Sequence, residues 1–159
     1  MKKVLIIALF ISSLQIFSQL VKENETMIFS FKTKSGKTAV LCRGSNESYI
    51  VYRFGTNKNV ELEYPASLDN TSWQKFTYSY YFRGGGKKNA GQDLNYVSFQ
   101  NNGYNYEIYD EYYSEDESTD AGIIVTDTDK NDTIIKAIKN SAKGSLVELR
   151  YNDKIQQEK

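Results

Sequence analysis

Carboxylates and tyrosines are concentrated in residues 109–120, which contain six acidic side chains and three tyrosines. No Lys or Arg occurs from Asn89 to Asp129. Such a segment can attract and bind a basic protein surface, because carboxylates steer cations and tyrosine gives contact area at low entropy cost. It is also typical of a solvated hairpin loop that prevents edge-to-edge pairing of sheets. The residues expected to contact a partner are Tyr109, Asp110, Glu111, Tyr112, Tyr113, Glu115, Asp116 and Glu117.

A second candidate segment is basic and rich in glycine, at residues 83–91. It lacks the glycine spacing and the Ser/Thr of a phosphate-binding P-loop, and no βαβ pattern surrounds it. The segment therefore indicates either a sharply folded connection between strands or a flexible finger that presents cations to an acidic partner or an anionic glycan. The residues expected to take part are Arg83, Gly84, Gly85, Gly86, Lys87 and Lys88.

Catalytic chemistry is poorly supported by the composition. The chain has no His and one Cys, which excludes Ser-His-Asp and Cys-His catalysis and most zinc and haem sites. A pair of carboxylates could still hydrolyse a glycoside, but the candidates Glu61, Glu63, Glu107 and Asp110 all lie at positions predicted to be exposed. We therefore expect a protein that is not an enzyme, with no catalytic residue, cofactor or metal.

The first residues predict export. Lys2 and Lys3 precede a short apolar run, and the small Ser18 offers a cleavage point, so residues 1–18 are predicted to be a signal peptide. We expect a periplasmic or secreted protein without stable membrane insertion after cleavage. The formal net charge of zero argues against a nucleic-acid partner. The lone Cys42 follows Ala39, Val40 and Leu41 and is expected to be a buried apolar residue.

Alternation of apolar and polar residues predicts an all-β fold. In residues 75–83, for example, Phe76, Tyr78, Tyr80 and Phe82 share one face, which is expected to be the core face. We predict a single antiparallel β-barrel or β-sandwich domain of about eight to ten short strands over residues 19–151, followed by a frayed polar tail at 152–159. The candidate strands are 27–33, 38–43, 48–54, 59–64, 75–83, 94–100, 103–108, 121–126, 133–138 and 146–151.

Five short segments, at residues 49–55, 60–65, 80–86, 95–99 and 103–106, together resemble a family of small exported bacterial all-β proteins of unassigned function. The resemblance spans about half of the mature chain and implies an exported β domain, without implying any catalytic residue. The chain is also similar, at the level of fold alone, to periplasmic lysozyme inhibitors, although it lacks a disulfide pair.

Three functions follow as hypotheses. The first is a non-catalytic domain that binds another exported or envelope protein, including as an inhibitor of a secreted or envelope hydrolase. The second is a domain that binds a glycan or another small ligand through aromatic side chains. The third is a paired-carboxylate glycoside hydrolase. The stacking residues of the second hypothesis are Trp73, Tyr80, Tyr81, Tyr104 and Tyr106.

Overall fold

Eleven strands form two sheets, joined by an isolated antiparallel bridge between Thr33 and Ala137, in residues 20–86 and 89–158, the part of the chain that this computed structural model describes. The strands are β1 Glu25–Lys32, β2 Thr38–Gly44, β3 Ile50–Thr56, β4 Asn59–Tyr64, β5 Thr77–Arg83, β6 Gln92–Asn101, β7 Tyr104–Tyr113, β8 Ser118–Thr126, β9 Asp132–Lys136, β10 Lys143–Gly144 and β11 Gln156–Gln157. Three short 3₁₀ helices, Ser45–Glu47, Asn70–Lys75 and Leu146–Leu149, connect them.

The strands are arranged as a two-sheet sandwich. One sheet has the order β10-β1-β2-β3-β4, and the other has the order β11-β5-β6-β7-β8-β9. All pairings are antiparallel except that of β11 with β5. The prediction of an all-β fold is confirmed. The β-barrel alternative is wrong, because the described strands do not close into one continuous sheet.

The core lies between the two sheets and is rich in aromatic rings. On the inner face of the six-stranded sheet, Tyr78, Val97, Ile108 and Ile123 form one buried row across β5 to β8. The next row carries Phe99, whose ring lies 5.2 Å from Tyr52 and 4.6 Å from Tyr64 of the opposite sheet, measured between ring centroids. These rings pack across the space between the sheets, and their burial stabilises the sandwich.

The outer face of the five-stranded sheet carries a second, smaller core that includes Leu20, Val40 and Cys42. Beside it, the buried Arg53 donates hydrogen bonds to both carboxylate oxygens of Glu25, at 2.6 and 2.8 Å, and to Glu63 at 2.5 Å. A buried charge is tolerated only when it is paired in this way. The expectation that Cys42 is buried is confirmed.

Two predictions about the C-terminal region differ from the structure. Residues 146–151 were expected to form a strand, but Leu146–Leu149 is a 3₁₀ helix with the Ser145 hydroxyl at its N-cap. Leu146 and Leu149 are both buried, and their spacing of three suits a 3₁₀ turn. Residues 152–158 are not frayed, since Ile155 is buried and Gln156–Gln157 pairs with β5.

The predicted signal peptide, residues 1–18, lies outside the described residues. Across the described residues, the search for a helix with the length and apolar character needed to cross a membrane finds none.

Candidate partner-binding surface

The two segments that the sequence singled out lie side by side at one end of the six-stranded sheet. The glycine-rich segment, residues 83–91, includes the β5–β6 connection, and the acidic segment, residues 109–120, includes the β7–β8 turn. The backbone N–H of Gly91 donates to the Ser114 hydroxyl at 2.6 Å, and the N–H of Ser114 donates to the Gly91 carbonyl at 2.9 Å. The glycine-rich connection is also fixed by Arg83, whose Nε donates to the Ala90 carbonyl at 3.0 Å. Lys87 and Lys88 lie outside the described residues.

The acidic segment is mostly strand rather than loop. Tyr109, Asp110, Glu111, Tyr112 and Tyr113 belong to β7, and only residues 114–117 form the turn. The interpretation of residues 109–120 as one loop is therefore wrong. Because side chains alternate along a strand, successive residues of this segment point to opposite faces of the sheet and cannot form one contact surface.

On the outer face, two of these tyrosines are held by internal contacts. Tyr109 is buried and lies over Gly122, where an added Cβ would come within 2.5 Å of the tyrosine hydroxyl. The hydroxyl of Tyr113 donates to Glu111 at 2.8 Å, and Tyr96 donates to the same carboxylate at 2.7 Å. The hydrogen bond to Glu111, together with burial, raises the pKa of Tyr113 to about 12. Tyr109 is therefore too buried to contact a partner, and the hydroxyl of Tyr113 is already bonded to Glu111.

Asp110 faces the interior, contrary to its predicted role in partner contact. Its Oδ2 accepts hydrogen bonds from the Ser145 hydroxyl at 2.8 Å and from the Leu146 N–H at 3.0 Å. Burial raises the pKa of Asp110, although these two hydrogen bonds act in the opposite direction. The carboxylate thus anchors the 3₁₀ helix Leu146–Leu149 to β7.

Three large aromatic side chains on the inner face lie beyond the cover of the five-stranded sheet. Tyr80, Phe82 and Tyr112 are 44%, 60% and 42% exposed. The predicted burial is correct for Phe76 and Tyr78 and wrong for Tyr80 and Phe82, although Tyr80 and Phe82 share the inner face of β5 with Tyr78. The register places Phe82 and Tyr112 on either side of Asp93, on three adjacent strands. We refer to Tyr80, Phe82, Tyr112 and Arg150 as the overhang surface.

Arg150 completes the overhang surface from the C-terminal segment. Its guanidinium carbon lies 4.5 Å from the centre of the Tyr80 ring and 5.5 Å from that of Phe82. It donates hydrogen bonds to the carboxylate of Asp93 and, at 2.9 Å, to Oδ1 of Asn95. The same oxygen accepts the hydroxyl of Tyr78 at 2.6 Å. Sequence reasoning missed Arg150, because no local pattern connects it to residues 70 positions earlier.

The aromatic residues of the glycan hypothesis do not gather on one surface. Trp73 is buried, and its indole N–H donates to the Glu47 carbonyl at 3.0 Å. Tyr80 and Tyr81 lie on opposite faces of β5, and Tyr104 lies at the far end of β7 from the overhang surface. The ring of Tyr106 packs against the core. The stacking site that these residues were expected to form is therefore not present as one surface in the described part of the chain.

The four carboxylates of the hydrolase hypothesis are also dispersed. Glu61 and Glu63 lie on β4 of one sheet, where they pair with Lys37 at 2.6 Å and with Arg53 at 2.5 Å. Glu107 and Asp110 lie on β7 of the other sheet, three residues apart and therefore on opposite faces. Glu61 and Glu63 share a face of β4, but each is paired with its own cation.

The chain matches no family model, no curated protein and no solved structure. Its function must therefore be argued from its own residues.

Proposed function

We propose that this protein is an exported, non-catalytic domain that binds another exported or envelope protein through the overhang surface, and that the partner class includes a hydrolase that it inhibits. The observation that carries the proposal is the exposure of Tyr80, Phe82 and Tyr112 together, next to Arg150. Soluble proteins seldom leave large apolar side chains grouped at the surface without a binding role.

The residue types of the overhang surface support protein binding. Tyrosine and arginine are enriched among the residues that contribute most to binding energy. Arg150 is held in place before any partner arrives, because its side chain is only 10% exposed and is bonded to Asp93. A preorganised side chain loses little entropy on binding, which favours affinity.

The two turns beside the overhang surface give it a polar rim. Glu115, Asp116 and Glu117 are exposed on the β7–β8 turn, and Arg83 is the last residue of β5, next to the β5–β6 connection. Charged rims steer association and set its salt dependence more than they set affinity. The predicted basic partner is therefore expected to associate with this end of the sheet more slowly as salt is added.

A capture experiment tests the proposal. The purified protein is immobilised, and an envelope extract and a panel of lysozymes and other envelope hydrolases are passed over it at low salt. The Phe82→Ser/Tyr112→Ser variant should lose the captured protein. A Tyr104→Ser variant is the matched control, because Tyr104 is also 44% exposed but lies at the other end of β7. Equal capture by both variants, or capture of no protein, would contradict the proposal.

A further inference from the structure

A polar groove lies at the end of the six-stranded sheet opposite the overhang surface, with a volume of about 520 Å³. It is formed where β6 ends and β7 begins, with the 3₁₀ helix Asn70–Lys75 and β11 as its wall. Most of its lining side chains are amides and carboxylates: Gln74, Gln100, Asn105, Glu107, Gln156 and Glu158. Tyr64 and Phe99 also belong to the lining, although the ring of Phe99 is buried between those of Tyr64 and Tyr106.

Two of the four amides hold the wall of the groove in place. Gln74 donates from Nε2 to the Lys154 carbonyl at 2.9 Å, and Gln156 donates from Nε2 to the Gln74 carbonyl at 3.1 Å. These hydrogen bonds tie the C-terminal segment to the 3₁₀ helix Asn70–Lys75, while β11 itself pairs with β5. The wall is therefore a built part of the fold, although it comes from the last residues of the chain.

The other two amides are not used by the fold. Gln100 lies at the end of β6 and Asn105 near the start of β7, directly opposite each other in the register. Within the described residues, the side-chain amides of Gln100 and Asn105 take part in none of the hydrogen bonds. Each amide can donate two hydrogen bonds and accept two.

Glu107 adds a carboxylate that is half-buried and has no cationic partner among the described residues. In the described part of the chain, its carboxylate accepts one hydrogen bond, from the Ser98 hydroxyl at 3.5 Å. Burial raises the pKa of Glu107, and the neighbouring carboxylates of Glu158, Asp132 and Glu111 raise it further. A desolvated carboxylate of this kind is stabilised by any ligand that supplies hydrogen-bond donors.

We infer that this groove binds a polyhydroxylated ligand, an oligosaccharide, whose hydroxyls would bond to Gln100, Asn105 and Glu107. Sugar hydroxyls both donate and accept, which matches two free amides and an unpaired carboxylate. The groove has the volume of an ordinary ligand site, and its residues differ from those that the sequence suggested for glycan binding. The inference does not rest on the overhang surface.

Side-chain amide signals in a ¹⁵N-correlation NMR spectrum of the whole protein test this inference. The probes are tetrasaccharides of glucose, of glucosamine and of N-acetylglucosamine, each titrated to millimolar concentration. At least one should shift the NH₂ signals of Gln100 and Asn105. Gln100→Ala and Glu107→Gln should each weaken that binding by about 5- to 20-fold.

Gln92→Ala is the matched control, because Gln92 lies on β6 at its other end. It should leave the affinity for the tetrasaccharide unchanged. If no tetrasaccharide moves the two amide signals, or if Gln100→Ala and Glu107→Gln bind as well as Gln92→Ala, the inference is overturned. A folded spectrum for each variant shows that any loss of binding is local.

Discussion

The guanidinium of Arg150 forms a cation–π contact with Tyr80, with 4.5 Å between the guanidinium carbon and the ring centre. It thereby joins the C-terminal segment to β5, and through Asp93 to β6. Such contacts contribute about 0.5–2 kcal/mol, more as water is excluded. The last residues of the chain are therefore part of the structure that presents the overhang surface.

Removing Arg150 should destabilise the protein. We expect Arg150→Ala to lower the free energy of unfolding by about 1–3 kcal/mol, because Asp93 and Asn95 lose a charged donor. Urea denaturation measures the change. Arg43→Ala is the control, since Arg43 makes only surface ion pairs at 3.3 and 3.6 Å, and its loss should cost less than about 1 kcal/mol. Equal losses for the two variants would contradict this role of Arg150.

Breaking the buried ion pair of Arg53 and Glu25 should lower the free energy of unfolding more than breaking a surface pair does. Both side chains are fully buried, so Glu25→Gln leaves a buried guanidinium short of negative charge. We expect a loss of about 3–5 kcal/mol, measured by urea denaturation. Glu61→Gln, which breaks the exposed pair with Lys37, should cost less than about 1 kcal/mol. If Glu25→Gln lowers the free energy of unfolding as little as Glu61→Gln does, the buried pair does not stabilise the fold.

Acid should destabilise the folded protein, because Glu25 and Glu63 become protonated. Burial alone would raise the pKa of each, but hydrogen bonds from Arg53 lower both below the ordinary value of 4.5. Their stabilising contribution is complete above that value and is lost as the pH falls through the lower folded-state pKa. The free energy of unfolding should thus decline below about pH 5, and Glu25→Gln should flatten the decline.

Asp110 should have the opposite effect on the same pH profile. Its pKa is raised, chiefly by burial, so the folded state binds its proton more readily than the unfolded state. Protonation of Asp110 therefore stabilises the fold as the pH falls. Asp110→Asn removes this gain and should make the acid decline steeper, as measured by denaturation at pH 3–7. A shallower decline in Asp110→Asn would contradict the assignment.

Cys42 should be unreactive in the folded protein. Burial, with a smaller effect of the Glu25 charge, raises the pKa of its thiol to about 12, and the side chain is inaccessible. Because the thiolate is the reactive form, a disulfide reagent at pH 8 should label Cys42 only after denaturation. Rapid labelling of the native protein would show that the smaller core, on the outer face of the five-stranded sheet, is accessible to the reagent.

The strands were largely predictable, because alternation reports burial on one face of a sheet. In residues 59–64 and 75–83, apolar residues alternate cleanly, and the structure has β4 and β5 there. The signal fails in residues 109–113, where tyrosines occur on both faces of β7. Where both faces carry tyrosine, alternation cannot distinguish the core face from solvent or a strand from a loop.

The remaining differences between the predicted and the observed structure arise from contacts between residues that are far apart in the sequence. Tyr80 and Phe82 continue the core pattern of β5, and nothing in their own segment shows that the opposite sheet ends before it covers them. The position of Arg150 above them depends on the 3₁₀ helix Leu146–Leu149, which Asp110 anchors from another strand. Composition and charge singled out two segments that are far apart in the sequence, and the structure brings them together at one end of the sheet.

The central claim is that the overhang surface binds a protein partner, and the dissociation constant of the captured partner tests it most directly. Biolayer interferometry compares the wild type, Phe82→Ser and Tyr104→Ser at low and moderate salt. We predict that Phe82→Ser weakens binding by about 10- to 100-fold, as expected of a central interface residue, while Tyr104→Ser changes it by less than about 2-fold. An unchanged dissociation constant for Phe82→Ser would place the partner elsewhere and contradict the proposal.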